Sequence, residues 1–319
     1  MKRTMAVAVP GLTENQLGSI RAAAERHGFE VRFIQDPAKE QDFLNAAEVV
    51  FGHRPETAKA STALKWIATP YAGNEVFLEP GILRDDVILT NSSGAYGVTI
   101  AEHTVMILLE ILRRRKEYRR ITDAKGWKRD LKIRSIQGAR ITMAGTGNIG
   151  QETAVRLRAF GPESITGVNR SGANPEGLFD RILPTENREA ALPETDVLII
   201  SLPGTKETYH LFGAQQLALL PDGAVVINVG RGSVVDQKAL VRELEKGRLY
   251  AGLDVFEREP PAEADPVWNL ENLVMTPHTA GNMTLTYTVQ RIVELFLEDL
   301  ENYCAGRPLA RLVDRKAGY

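Results

Sequence analysis

Gly145-Thr-Gly-Asn-Ile-Gly150 follows the apolar run Ala139-Arg-Ile-Thr-Met-Ala144 and precedes Gln151-Glu-Thr-Ala-Val-Arg-Leu-Arg-Ala-Phe160. This reads as a strand, a tight glycine turn and the opening of a helix. A G-x-G-x-x-G pattern alone is weak evidence. Between a strand and a helix, each glycine has a mechanical task. Gly145 permits the turn, Gly147 lets backbone approach a pyrophosphate, and Gly150 lets helix and strand pack closely. Asn148 and Ile149 then stand at a helix N-terminus, whose free N–H groups face phosphates. The reading is a dinucleotide site rather than an ordinary βα turn. It starts near residue 139, which leaves a long N-terminal segment for another domain.

A chain of 319 residues suggests two domains. Apolar content of 43% and charged content of 25% are those of a soluble globular protein. Lys+Arg is 39 and Asp+Glu is 41, so no net basic field points to nucleic acid or an anionic membrane. No stretch approaches the length of a membrane span. Lys2 and Arg3 precede an apolar run that stops at Pro10, which reads as a first strand and not a signal peptide. The one cysteine, Cys304, rules out an intramolecular disulfide and suits a reducing, cytoplasmic location. The histidines are scattered without metal-ligand spacing, so no metal is expected.

Before the glycine turn, Met5-Ala-Val-Ala-Val9, Glu30-Val-Arg-Phe-Ile34, Glu48-Val-Val-Phe51 and Lys65-Trp-Ile-Ala-Thr69 read as strands. Thr13 can cap a helix running to about His27, with Gly28 ending it. This βαβ rhythm implies a small parallel sheet. Asn91-Ser-Ser-Gly-Ala-Tyr-Gly97 is a turn-rich break. One long helix is predicted after it, from about Ile100 to Ala124, with Val105, Leu108, Leu109 and Leu112 as a core or partner face. Beyond the turn, strands are predicted at Ser164–Val168, Asp196–Ile200, Ala224–Asn228, Ala251–Val255 and Leu273–Thr276. Such continuous apolar strands fit a doubly wound sheet buried on both faces. A last amphipathic helix, about Thr284 to Tyr303, is expected to return to the first domain.

Arg231 follows the strand ending at Val229, Glu259 follows Leu253-Asp-Val-Phe256, and His278 follows Leu273-Val-Met-Thr-Pro277. Singly, each has a plain reading as a solvated or salt-bridged loop residue. Open parallel sheets bind ligands outside the carboxyl ends of their strands. Three such residues on successive strand ends of a nucleotide fold therefore point to an active site.

At these residues the chain resembles the D-2-hydroxyacid dehydrogenase family. The resemblance is carried by Gly126-Trp127, Asn228 to Asp236, Asp254 to Pro260, Thr276 to Gly281, Gly306-Arg-Pro-Leu309 and Gly318-Tyr319. It implies an α/β protein of two doubly wound parallel-sheet domains, with a Rossmann cofactor domain inserted into a smaller flavodoxin-like substrate domain. The expected boundaries are 1–97 and 284–319 for the substrate-binding domain and 98–283 for the dinucleotide-binding domain. The implied activity is NAD(P)-dependent reduction of a small 2-oxo acid to the D-2-hydroxy acid, with glyoxylate and hydroxypyruvate as first candidates. Arg231 would bind the substrate carboxylate with its planar fork. His278 would give a proton to the nascent alkoxide, and Glu259 would pair with it and orient it. A formate-dehydrogenase-like relative would carry a neutral amide in place of Glu259. Asp254, with the backbone of Ala280-Gly281, would hold the nicotinamide amide; Val229 and Pro203 would line the cofactor. Tyr71-Ala-Gly-Asn74 matches the substrate-carboxylate loop, which makes Ala72, Gly73 and Asn74 substrate-binding candidates. The family more often has an acidic residue just beyond that glycine, so Asn74-Glu75 leaves substrate size open.

The second Rossmann strand ends Val168-Asn169-Arg170-Ser171. NAD enzymes usually place Asp or Glu there, where it binds the ribose hydroxyls. Without that carboxylate, Asn169, Arg170 and Ser171 can accept a 2′-phosphate, so NADP is expected over NAD. The helix near Ile100 suggests a homodimer, the commonest closed oligomer. His53-Arg54, after the strand ending at Phe51, reads first as a solvated loop and second as a neighbour of the substrate. His27, His103 and His210 read as structural or surface residues, and Cys304 as chemically silent. Two rivals remain. An L-type lactate or malate dehydrogenase would begin with its nucleotide fold. A cofactor-sensing corepressor-like binding protein without turnover can keep Arg231, Glu259 and His278, but tends to carry extra partner-binding segments that this compact chain does not show.

Overall fold

Alternating polar caps and apolar runs build the first sheet. The computed structural model describes residues 3–174 and 177–318; Lys2 and Tyr319, quoted above, lie outside them. β1 (Arg3–Ala8), α1 (Glu14–Arg26) and β2 (Phe29–Phe33) open the chain. Thr13 caps α1: its hydroxyl accepts from Gln16 N at 3.4 Å, while Gln16 Oε1 accepts from Thr13 N at 2.9 Å. Next come α2 (Gln41–Ala46), β3 (Val49–Gly52), α3 (Pro55–Ala60), β4 (Trp66–Ala68) and β5 (Ile88–Thr90). The strands form a parallel sheet in the order β2-β1-β3-β4-β5. This flavodoxin-like order reverses direction beside β1. β5 is not among the strands read from the sequence. Its pairing with β4 and its antiparallel bridge from Thr90 to Leu312 define it.

The predicted long helix is two helices, α4 (Gly97–Leu112) and α5 (Arg115–Asp123). Arg114 between them is left-handed, with φ 57. The Leu112 carbonyl accepts instead from Arg134 N at 2.8 Å, and Arg114 reaches Tyr250 Oη at 2.7 Å. These long-range bonds end α4 where local propensity would continue it. The buried face of α4 also differs from the expected one. Ile100, Ala101, Thr104, Ile107, Leu108, Ile111 and Leu112 are buried, Val105 and Leu109 are half-buried, and Met106 is exposed.

The second sheet starts with β6 (Arg140–Ala144), α6 (Asn148–Arg158), β7 (Ser164–Asn169), β8 (Arg181–Pro184) and β9 (Val197–Ile200). It continues with α7 (Ala214–Leu219), β10 (Val225–Asn228), α8 (Gln237–Glu245), β11 (Tyr250–Leu253) and β12 (Leu273–Met275). The order is β12-β11-β10-β9-β6-β7-β8, all parallel, with the switch point between β6 and β9. β8 is a second strand missed in sequence; an edge strand with a mixed burial pattern carries little signal. Its central strands are fully buried, as the unbroken apolar runs require.

By contacts the chain divides into Met1–Tyr96 with Met283–Tyr319, and Gly97–Asn282. The return to the first unit is α9 (Thr286–Cys304). It stacks Phe296 on Phe51, centroids 3.9 Å apart, and on Trp66 at 5.4 Å. Each large apolar side chain buried there contributes about 1.5–3 kcal/mol. Among the described residues, no helix is long and apolar enough to cross a membrane.

Candidate active site

The glycine turn joins β6 to α6, and each glycine answers a different constraint. Gly145 has φ +103, and a Cβ there would lie 2.8 Å from Ser201 Oγ and 2.9 Å from Ser201 O. A Cβ at Gly150 would collide with the Gly145 carbonyl. Gly147, the N-cap of α6, has ordinary φ, and nothing lies within 4 Å of where its Cβ would be. Its bare side is thus open to a ligand at the helix N-terminus ahead of Asn148 and Ile149, which fits a pyrophosphate. Pro203 lies on the connection after β9, where its carbonyl accepts from Thr208 Oγ1 at 2.6 Å. Val229 is buried, its N–H bonded to Ile200 O at 3.0 Å.

Arg231, Glu259 and His278 follow β10, β11 and β12, which are neighbours at one end of the sheet. A Cβ at Gly232 would collide with Phe256, so this glycine lets the Arg231 connection press against the Phe256–Glu259 turn. Gly204, after β9, stands close to the Arg231 side chain for a similar reason. Glu259 turns inward twice: its Oε1 accepts from Phe256 N at 3.0 Å, and its Oε2 lies 2.6 Å from His278 Nδ1. Arg231 Nη1 donates to Gly230 O at 3.0 Å. The His278 side chain is 51% exposed, enough to meet a substrate.

His278 is left-handed, with φ 54, a conformation that costs a non-glycine residue of order 1 kcal/mol. Asp254 holds it there. His278 N donates to Asp254 O at 2.9 Å. The Asp254 carboxylate, on a residue 2% exposed, accepts from Thr276 Oγ1 at 2.6 Å, Thr279 N at 2.8 Å and Ala280 N at 3.0 Å. Gly281 follows directly. The pattern therefore gives Asp254 the task of gathering the loop that carries His278. Behind it stands His103 of α4, whose Nε2 is 3.0 Å from Thr276 Oγ1. Thr276 Oγ1 gives its one proton to Asp254, so it must accept from His103 Nε2–H. Burial pushes the His103 imidazole below its ordinary range, against the pull of Asp254. Read from the sequence alone, His103 is a structural or surface residue; its pairing with residues more than 150 positions away carries no local signal.

At the end of β7, Asn169 closes its own turn. Its Nδ2 donates to Thr146 Oγ1 at 2.8 Å and to Ala173 O at 2.9 Å, and its Oδ1 accepts from Gly172 N at 2.6 Å. Ser171 Oγ accepts from Ala173 N at 3.2 Å, and Arg170 is exposed. A cavity of about 170 Å³ beside this turn is lined by Thr146, Gln151, Asn169, Ser171, Asn174 and Phe179, among others.

In the other unit, Asn74 is buried, and its Nδ2 donates to Ala72 O at 3.0 Å. Asn91 Nδ2 reaches the same carbonyl at 3.2 Å. Asn74 thus shapes the loop, leaving Ala72 exposed and Gly73 half-exposed. His53 is not a solvated loop residue: its ring meets Tyr71 and Phe77 edge-on at 5.3 and 5.0 Å, and burial lowers its pKa. A flanking loop reads as solvent in sequence because the aromatic partners come from another connection.

Residues 105–280 match the family described as "D-isomer specific 2-hydroxyacid dehydrogenase, NAD binding domain". The chain belongs to that family. A glyoxylate reductase of Korarchaeum cryptofilum is 30% identical over 82% of this chain and 79% of that protein. A D-isomer specific 2-hydroxyacid dehydrogenase family protein of Aeromonas salmonicida superposes with a TM-score of 0.85 at 28% identity, covering 99% of this chain and 100% of that one. The NADPH-dependent glyoxylate/hydroxypyruvate reductase of Sinorhizobium meliloti, solved with NADP and sulfate, has a TM-score of 0.83 at 28% identity and covers 100% of both chains. The resemblance read from the sequence and the two-sheet Rossmann-containing fold are thus borne out, and the protein is an NAD(P)-dependent 2-hydroxyacid dehydrogenase.

Proposed function

We propose that the protein reduces a small 2-oxo acid to the D-2-hydroxy acid, with NADPH preferred over NADH. The observation that carries this reading is the 2.6 Å pair of His278 Nδ1 and Glu259 Oε2, on strand ends adjacent to that of Arg231. Glu259 engages Nδ1, so Nε2 is the ring atom that can give a proton to a substrate oxygen. Arg231 offers a guanidinium fork to the carboxylate of the same substrate. When bound at the glycine turn, the dinucleotide supplies the hydride that reduces the carbonyl carbon. Within its own unit, Asn74 keeps the Ala72–Gly73 loop in shape, with Nδ2 on Ala72 O.

The cofactor preference rests on the end of β7, where Asn169 stands in place of a carboxylate that would repel a 2′-phosphate. The S. meliloti relative, which holds NADP, supports it. Small acids such as glyoxylate and hydroxypyruvate are the first substrates to try, by analogy with the relatives' names. Initial rates with a panel of 2-oxo acids and both reduced cofactors test the reading; no turnover with any pair would refute it.

The same chain is proposed to form a two-fold dimer through α4 and the segment after it. Val105, Met106 and Leu109 make an apolar stripe away from the core, and Trp127 is 86% exposed. A monomer mass by sedimentation at micromolar protein would refute this.

A further inference from the structure

Outside the residues assigned above, one cluster ties together the connections that carry them. Glu257 stands two residues before Glu259. Its Oε1 accepts from His210 Nε2 at 2.8 Å and from Gln237 N at 2.9 Å. Its own N–H donates to Gln237 Oε1 at 3.1 Å, and Gln237 Nε2 donates to Asp265 Oδ2 at 3.1 Å. His210 lies on the connection after β9 that contains Pro203. Gln237 opens α8, after Arg231, and Glu257 lies in the turn that ends at Glu259. The backbone makes the same link, since His210 N donates to Ser233 O at 2.8 Å. His210 is left-handed, with φ 49, and stacks on Tyr209 at 4.0 Å. A histidine keeps that conformation only where its surroundings hold it.

The side chains of His210 and Glu257 are each 31% exposed. A pair so exposed adds little to global stability. What it can do is fix geometry. Gly232 brings the Arg231 connection against Phe256 from one side, and the His210–Glu257 bond closes the same turn from another. We propose that His210, acting through Glu257, is a positioning residue of the active site: it sets the Phe256–Glu259 turn against the Arg231 connection and so holds Glu259 in register with His278. Misplacement of a reacting group by about 1 Å can cost on the order of a hundredfold in rate.

This inference rests on the proposed acid/base role of His278, so its test includes a readout that needs no turnover. His210→Ala and His210→Gln are compared with the wild type in kcat and KM for glyoxylate, in Kd for NADPH, and in Tm. The Nδ1–H resonance of ¹⁵N-labelled His278 is followed by NMR. In His210→Ala, kcat should fall about tenfold, with KM and Kd unchanged within about twofold, and the His278 resonance should shift or broaden. His210→Gln, whose amide can donate from nearly the same place, should recover most of both effects. Wild-type kcat and an unmoved His278 resonance in His210→Ala would overturn the inference. A loss shared equally by both variants with a falling Tm would also overturn it, as a merely structural role. Absence of turnover in the wild type itself sinks the functional reading, while the His278 resonance still decides this one.

Discussion

Asp254→Asn tests whether the carboxylate assembles the loop that carries His278, the proposed acid/base. The carboxylate accepts three bonds, from Thr276 Oγ1, Thr279 N and Ala280 N, at a site only 2% exposed. Asparagine has the same shape. Its better orientation keeps an oxygen facing Thr276 and Thr279, which leaves its NH₂ confronting the Ala280 N–H. One charge-assisted bond, worth about 1.5–3 kcal/mol, is lost, and the two kept bonds weaken by about 1 kcal/mol each on becoming neutral. Relief from burying a charge offsets part of this. A net cost of about 2–4 kcal/mol remains. Expressed wholly as loop opening, it sets a ceiling of about 30- to 1,000-fold on the fall in kcat. Expressed as global unfolding, it lowers Tm by roughly 5–15 °C for a unit of this size. Saturating turnover with a 2-oxo acid and NADPH, alongside calorimetry, distinguishes the two. A kcat within about threefold of wild type and an unchanged Tm would show that the carboxylate does not hold the loop.

His278→Asn should lower kcat by about 10²- to 10⁴-fold while NADPH still binds, measured by fluorescence titration; near-wild-type turnover would remove His278 from the reaction. Asn169→Asp combined with Arg170→Ala should reverse the cofactor preference in kcat/KM. Because Arg170 is exposed, the wild-type preference for NADPH should sit near tenfold, at the low end for a charge-assisted contact. Equal or better use of NADH by the wild type contradicts this reading. His103 offers a pH test. Burial depresses its pKa from the ordinary 6.5, so in the window below that value the unfolded chain takes up a proton that the folded chain refuses. Its contribution to stability is therefore complete above about pH 6.5 and is lost as pH falls through the window. His103→Gln keeps a donor for Thr276 without this titration, so the stability difference between wild type and variant should shrink on acidification. A difference that stays constant between about pH 7.5 and pH 5 would contradict the burial argument.

Features that are local in the chain can be read from the order of residues alone. A strand, three spaced glycines and a helix opening specify the turn at Gly145–Gly150, because steric demands at successive residues are written in successive letters. The fully buried strands β9 and β10 appear as apolar runs, and β6, β7, β11 and β12 were legible as short apolar stretches between turns, and with them the strand-end places of Arg231, Glu259 and His278. Tertiary structure decided what depends on distant partners. α4 stops at Leu112 because Arg134 takes its carbonyl and Arg114 turns toward Tyr250. The short strands β5 and β8 exist through their pairing with β4 and β7. His103 reaches Thr276, which bonds Asp254, and His210 reaches Glu257, across separations of 173 and 47 residues. A hydrogen bond between groups so far apart leaves no period and no spacing in the sequence. It is selected only when the packed sheet has already brought its donor and acceptor within 3 Å.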